Sequence, residues 1–69
     1  MMKIEPIKRT TMTVSEAAIY LGVSRDLIYI LVREKQIKHF KLGSRILFKR
    51  EKLDEWMEQQ MEDSVQNEH

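Results

Sequence analysis

Between Thr13 and Arg33 two short amphipathic segments flank a single glycine, and this stretch constrains the fold more than any other part of the chain. Thr13 and Glu16 stand at the spacing of a capping box, in which the hydroxyl takes an early backbone N–H and the Glu side chain returns to the cap residue's own N–H. Val14, Ala17, Ala18 and Leu21 follow as the stripe of a helix buried on one face. Gly22 can take the left-handed conformation that ends such a helix without a Cβ clash. Ser24 is the N-cap of a second helix, and Val23 and Ile28 have the spacing of a hydrophobic staple. At the helical period Leu27, Ile28, Leu31, Val32 and the stem of Lys35 share one face. Arg25, Asp26, Tyr29 and Arg33 share the other, with Ile30 at its edge.

After the second helix the period changes. Phe40, Leu42, Ile46 and Phe48 alternate with His39, Lys41, Leu47 and Lys49 around Gly43-Ser44, a β-hairpin signal, with His39 facing solvent. A two-residue Gly43-Ser44 turn pairs Phe40 with Leu47 and Leu42 with Arg45. A three-residue loop over 43–45 pairs Leu42 with Ile46 and Phe40 with Phe48, placing all four apolar side chains on one face. Burial favours the odd-length loop, because a one-residue slip moves a whole apolar set into water. A third helix starts near Arg50, with Leu53, Trp56 and Met57 inward, joined at its end by Gln60 and Met61. Trp56 is the largest apolar group and is expected to close the core beneath the hairpin.

The chain reads as one small domain of mostly α class with a small hairpin, divided into a flexible basic arm (1–11), a folded unit (12–60) and an acidic, frayed or disordered tail (61–69). The net charge of +1 hides a strong asymmetry. All twelve Lys and Arg lie in residues 1–52 against five acids, whereas residues 53–69 hold six acids and no Lys or Arg. A basic body points to a polyanionic partner; the acidic tail serves either solubility or a second partner. There is no cysteine, so disulfides and thiolate metal sites are excluded. The sequence has neither a membrane-length apolar run nor an N-terminal hydrophobic signal region, and a cytoplasmic protein is expected. It offers no Ser-His-acid set, phosphate loop or apolar carboxylate pair, so no enzyme, cofactor or metal site is expected.

Helix, tight turn, helix, hairpin, helix is the order of a winged helix-turn-helix, whose second helix enters the DNA major groove. Arg25 and Tyr29 lie in the first two turns of that helix. An Arg there can donate two hydrogen bonds to guanine, and a Tyr can reach a base edge or a phosphate or remain an aromatic at the core's edge. Arg33 suits a phosphate, Asp26 either orients Arg25 or favours the helix dipole, and Ser24 can divide its hydroxyl between cap and phosphate. The hairpin tip, Lys41, Gly43, Ser44 and Arg45, is small and basic; Arg45 is the candidate for a narrow minor groove. Lys38, Lys41, Lys49 and Arg50 would line phosphates.

The segment from Met12 to Met57 resembles the excisionase-type, MerR-like winged-helix DNA-binding domains. The resemblance is carried by Thr13-Val14-Ser15-Glu16-Ala17-Ala18, Leu21-Gly22-Val23-Ser24-Arg25, Ile28-Tyr29-x-Leu31-Val32-Arg33, Phe40-Lys41-Leu42-Gly43-Ser44-Arg45 and Phe48-Lys49-Arg50-Glu51-x-Leu53-x-x-Trp56. It implies a non-catalytic accessory protein of phages, transposons and integrative elements that bends attachment-site DNA and directs an integrase toward excision. It also implies groove reading by Ser24, Arg25 and Tyr29 and wing contacts by Ser44 and Arg45. Three positions depart from the family pattern: Lys35 stands where Gly is common, Lys38 where Pro is common, and Ile30 where a polar residue is common. A Lys at 35 is expected to extend the second helix, and Ile30 to meet a thymine methyl or a neighbouring protein.

The expected partners are double-stranded DNA, a site-specific integrase or recombinase contacted by the acidic, partly helical segment from Glu58 onward, and neighbouring DNA-bound copies in cooperative contact. A small transcriptional repressor built on the same domain is the second reading. A protein-binding module without a DNA role is the third, and the salt dependence of duplex binding separates it from the others.

Overall fold

A computed structural model of the chain describes residues 10–66. In chain order the elements are β1 (Thr11–Thr13), α1 (Val14–Leu21), α2 (Arg25–Arg33), β2 (Phe40–Leu42), β3 (Arg45–Lys49) and α3 (Arg50–Gln66). Local chemistry sets both ends of α1. Thr13 Oγ1 accepts the Glu16 N–H at 3.2 Å, and Glu16 Oε1 accepts the Thr13 N–H at 3.0 Å, completing the capping box. Gly22 has φ 75°, and the Val23 N–H reaches back to the Ala18 carbonyl at 2.9 Å. This back-bonding across a left-handed residue is a Schellman termination.

Ser24 caps α2 by accepting the Leu27 N–H at 3.2 Å. The helix does not run on through Lys35 as expected. It stops at Arg33, and Lys35 itself adopts φ 57°. The Gln36 N–H bonds the Leu31 carbonyl at 2.8 Å and the Lys35 N–H bonds that of Val32 at 3.0 Å, a second Schellman motif with a side chain where glycine fits best. Ile37 is thereby delivered into the core, a role that an isolated apolar residue between Gln36 and Lys38 does not announce.

The sheet is antiparallel with order β1-β3-β2. β1 is a strand that the sequence does not announce, Thr11 falling in the expected arm and Met12 and Thr13 at the head of the first helix; three residues are too few to show a period, and the partner lies far along the chain. It pairs Thr11 with Lys49, Met12 with Phe48 and Thr13 with Leu47. The Arg50 N–H extends this edge by donating to the Thr10 carbonyl at 2.8 Å. The remainder of the expected basic arm, residues 1–9, lies outside the described residues.

The hairpin register corrects the three-residue loop. Phe40 pairs with Leu47, Lys41 with Ile46 and Leu42 with Arg45, leaving a two-residue Gly43-Ser44 turn. Gly43 has φ 60° and Ser44 is not left-handed, the pattern of a type II′ turn, whose twist matches that of the strands. The burial argument fails because β1 supplies what β2 was expected to supply. Met12 joins Phe48 and Ile46 on the core side of the sheet. Phe40 and Leu42 therefore face outward, and Leu42 is 62% exposed.

The core is Val14, Ala17, Ala18, Ile28, Ile37, Phe48 and Leu53, with Met12, Leu21, Leu31, Val32, Ile46 and Trp56 packed at its margin. Leu27, expected on the buried side of α2, is 40% exposed. His39 is half-buried rather than solvent-facing; its Nδ1 lies 3.0 Å from the Ile37 carbonyl and its ring is tilted against Phe48. Trp56 Nε1 donates to the Gln36 carbonyl at 2.9 Å, tying α3 to the segment that follows α2. Met61 is exposed, as is Gln60. α3 continues to Gln66, so residues 61–66 are helical instead of frayed. Glu, Gln and Met are good helix formers and no Gly or Pro interrupts them, so the helix outlasts its apolar stripe. Gln59 also donates to Asp63 at 3.0 Å, one turn on.

Candidate nucleic-acid interface

The Ser24 cap fixes where α2 begins and so which side chains leave its first turns. The core contact of Ile28 fixes its rotation. Arg25, Asp26, Tyr29 and Arg33 all remain exposed, as the helical period requires. Arg25 leans toward α1, with Nη1 3.5 Å from Ser15 Oγ, a weak contact that holds the guanidinium beside the start of that helix.

Tyr29, Ser15, Thr13, Ser44, Arg45 and Ile46 line one open concavity of about 350 Å³. Three elements thus meet at one place: the middle of α2, the capped N-terminus of α1 and the tip of the β2–β3 hairpin. The expected residues Tyr29, Ser44 and Arg45 are brought together here, with Arg25 adjoining through Ser15. Ser15 and Thr13 are additions to which the sequence reading gave no part in the site. The signal was available in the capping box, because the first turn of a capped helix carries unpaired N–H groups and the positive end of the helix dipole.

The other cations are spread more widely. Lys49, Arg50, Thr10 and Glu51 surround a separate hollow of about 170 Å³ where β3 passes into α3. Lys49 sits 3.6 Å from Glu51, an exposed pair of little energetic weight that leaves both groups available. Arg45 and Lys49 share the outward face of β3, whereas Lys41, opposite Ile46, leaves the edge strand on the other face. Gly43 forms the tip with open space around its Cα. Arg33 lies two turns along α2 from Ser24, and Lys38 is exposed in the connection to β2. Ser24 keeps its hydroxyl on its own helix. Among the described residues no cluster of three or more His, Asp or Glu could hold a metal ion, and no helix is long and apolar enough to cross a membrane.

A helix pair joined at Gly22, a hairpin whose tip reaches the second helix, and a closing helix that packs beneath them define a winged helix-turn-helix domain. A family model described as a helix-turn-helix domain matches residues 11–61, and the chain belongs to this DNA-binding family. No curated protein and no solved structure matches the chain.

Proposed function

We propose that the protein is a non-catalytic architectural factor of DNA recombination, an excisionase. It lays α2 in a major groove, sets the hairpin tip against the adjoining minor groove, bends the duplex and directs a site-specific recombinase toward excision. The observation that carries this reading is the shared cleft, in which Tyr29 of α2 and Arg45 of the wing face one hollow from a single rigid scaffold. Side chains so placed contact two neighbouring grooves at once, and a duplex that curves around them gains contact area. One copy of this size covers roughly 600–1,000 Å² of protein surface on DNA, so single-site binding is weak and is reinforced by neighbouring copies or by the recombinase. The acidic second half of α3, with Glu58, Glu62 and Asp63, offers the recombinase a surface away from the basic cleft.

The test is a footprint with permuted-bend analysis across the DNA flanking the protein's own gene. Several tandem sites with a bend support the excision role. One operator over a promoter, without a bend, assigns the domain to transcriptional repression instead.

A further inference from the structure

We propose that α2 reads thymine through its 5-methyl group, with Ile30 and Leu27 as the reading side chains. This rests on α2 being the helix that enters the major groove. An amphipathic helix of nine residues needs one apolar stripe, and α2 already has it in Ile28, Leu31 and Val32. Ile30 and Leu27 lie outside that stripe, 37% and 40% exposed. At the helical period Ile30 lies about 40° from Asp26 and about 60° from Arg33, at the edge of the charged face, with Leu27 about 60° further round on the flank.

A lone exposed aliphatic residue is ordinary. These two are set apart by their continuity with the recognition surface: Ile30 borders Asp26, so a groove that receives Asp26 and Arg33 meets Ile30 at the margin of the same face. The floor of a major groove is otherwise made of hydrogen-bonding groups, and the thymine methyl is its apolar feature; the minor groove offers none. An isoleucine pressed on polar base edges strips them of water and returns no hydrogen bond, which is unfavourable. The same side chain on a methyl group gains by burying apolar surface. The occupant that complements this flank is therefore a thymine-bearing step of duplex DNA.

The experiment uses the full chain and duplexes that it enriches from a random-sequence pool, each remade with deoxyuridine in place of thymidine. Uracil keeps every hydrogen-bonding group and loses only the methyl. Affinity should fall about fourfold for each methyl lost from the contact. Ile30→Ser should narrow the difference, and Ile30→Ser combined with Leu27→Ser, or the corresponding glutamine pair should the serine variant not fold, should bring the two duplexes close to equal. Arg45→Ala should weaken both and keep their ratio. Equal affinity of the native chain for both duplexes overturns the proposal, as does a ratio that survives loss of both Ile30 and Leu27, which would place the methyl effect elsewhere. Failure to bind any duplex at low salt overturns the groove-helix reading itself and is distinct from either result.

Discussion

The phenol of Tyr20 donates a 2.7 Å hydrogen bond to Asp54 Oδ1 across thirty-four positions of sequence, linking the outer side of α1 to the first turns of α3. Among the described side-chain hydrogen bonds it spans the greatest sequence separation. It lies on a different surface from the Tyr29–Arg45 cleft, so it reports on how α3 is seated without touching the DNA-facing groups.

Donation to a carboxylate holds the Tyr20 proton, and partial desolvation and the Asp54 charge act in the same direction, so this phenol titrates above its ordinary value of 10.0. A raised pKa in the folded state means that the stabilisation is fully present below the unfolded value and is lost as pH rises through the folded one. In a Tyr29→Phe background, tyrosinate absorbance should therefore appear at higher pH than in the unfolded chain. Asp54→Asn should bring it down again. An unchanged titration in that variant would show that Asp54 is not what holds the proton.

Lys35 occupies the left-handed region, with φ 57°. A side chain there costs roughly 1–2 kcal/mol, part of which glycine returns as greater freedom in the unfolded chain. Lys35→Gly should therefore stabilise the domain by about 0.5–1 kcal/mol, whereas Lys35→Ala should bring no comparable gain. For a domain of this size that corresponds to a melting temperature higher by about 2–8 °C, measurable by thermal denaturation followed by circular dichroism.

The hairpin register makes opposite predictions for neighbouring apolar residues. Phe48 is fully buried, and Phe48→Ala should cost about 3–5 kcal/mol, comparable with the whole stability of so small a domain. Leu42→Ala, at an exposed position of the outward face, should stay within about 0.5 kcal/mol. Urea denaturation of both variants decides the matter; a large loss in Leu42→Ala would favour the three-residue loop after all.

That pair also marks where sequence reasoning stops. Capping, the Gly22 stop, the faces of α1 and the exposure of Arg25, Tyr29 and Arg45 depend on neighbours within a few residues and were legible from spacing. The register, β1 and the burial of Ile37 depend on pairings between Met12 and Phe48 or on a turn geometry at Lys35 that the local pattern does not encode. The candidate site was legible as two separate elements, α2 and the wing tip. Their meeting with Ser15 and Thr13 at one cleft follows from the core packing that sets the helix against the sheet.

Arg25 and Arg45 flank that cleft from different elements, so their removal should be felt differently on DNA. Arg25 leaves the first turn of the groove helix, where a bidentate contact to guanine contributes about 1–3 kcal/mol of discrimination. Arg25→Ala should therefore narrow the gap between preferred and random duplex and change non-specific affinity less. Arg45 belongs to the wing, to which the proposed function assigns contact with backbone and minor groove. Arg45→Ala should weaken binding to all duplexes and lower the bend. If a phosphate contact is lost, it should also reduce the slope of log K against log salt by about 0.9. Titrations at several salt concentrations, with preferred and scrambled duplexes, separate the two. Loss of selectivity in Arg45→Ala with an unaltered salt slope would exchange the roles assigned to helix and wing.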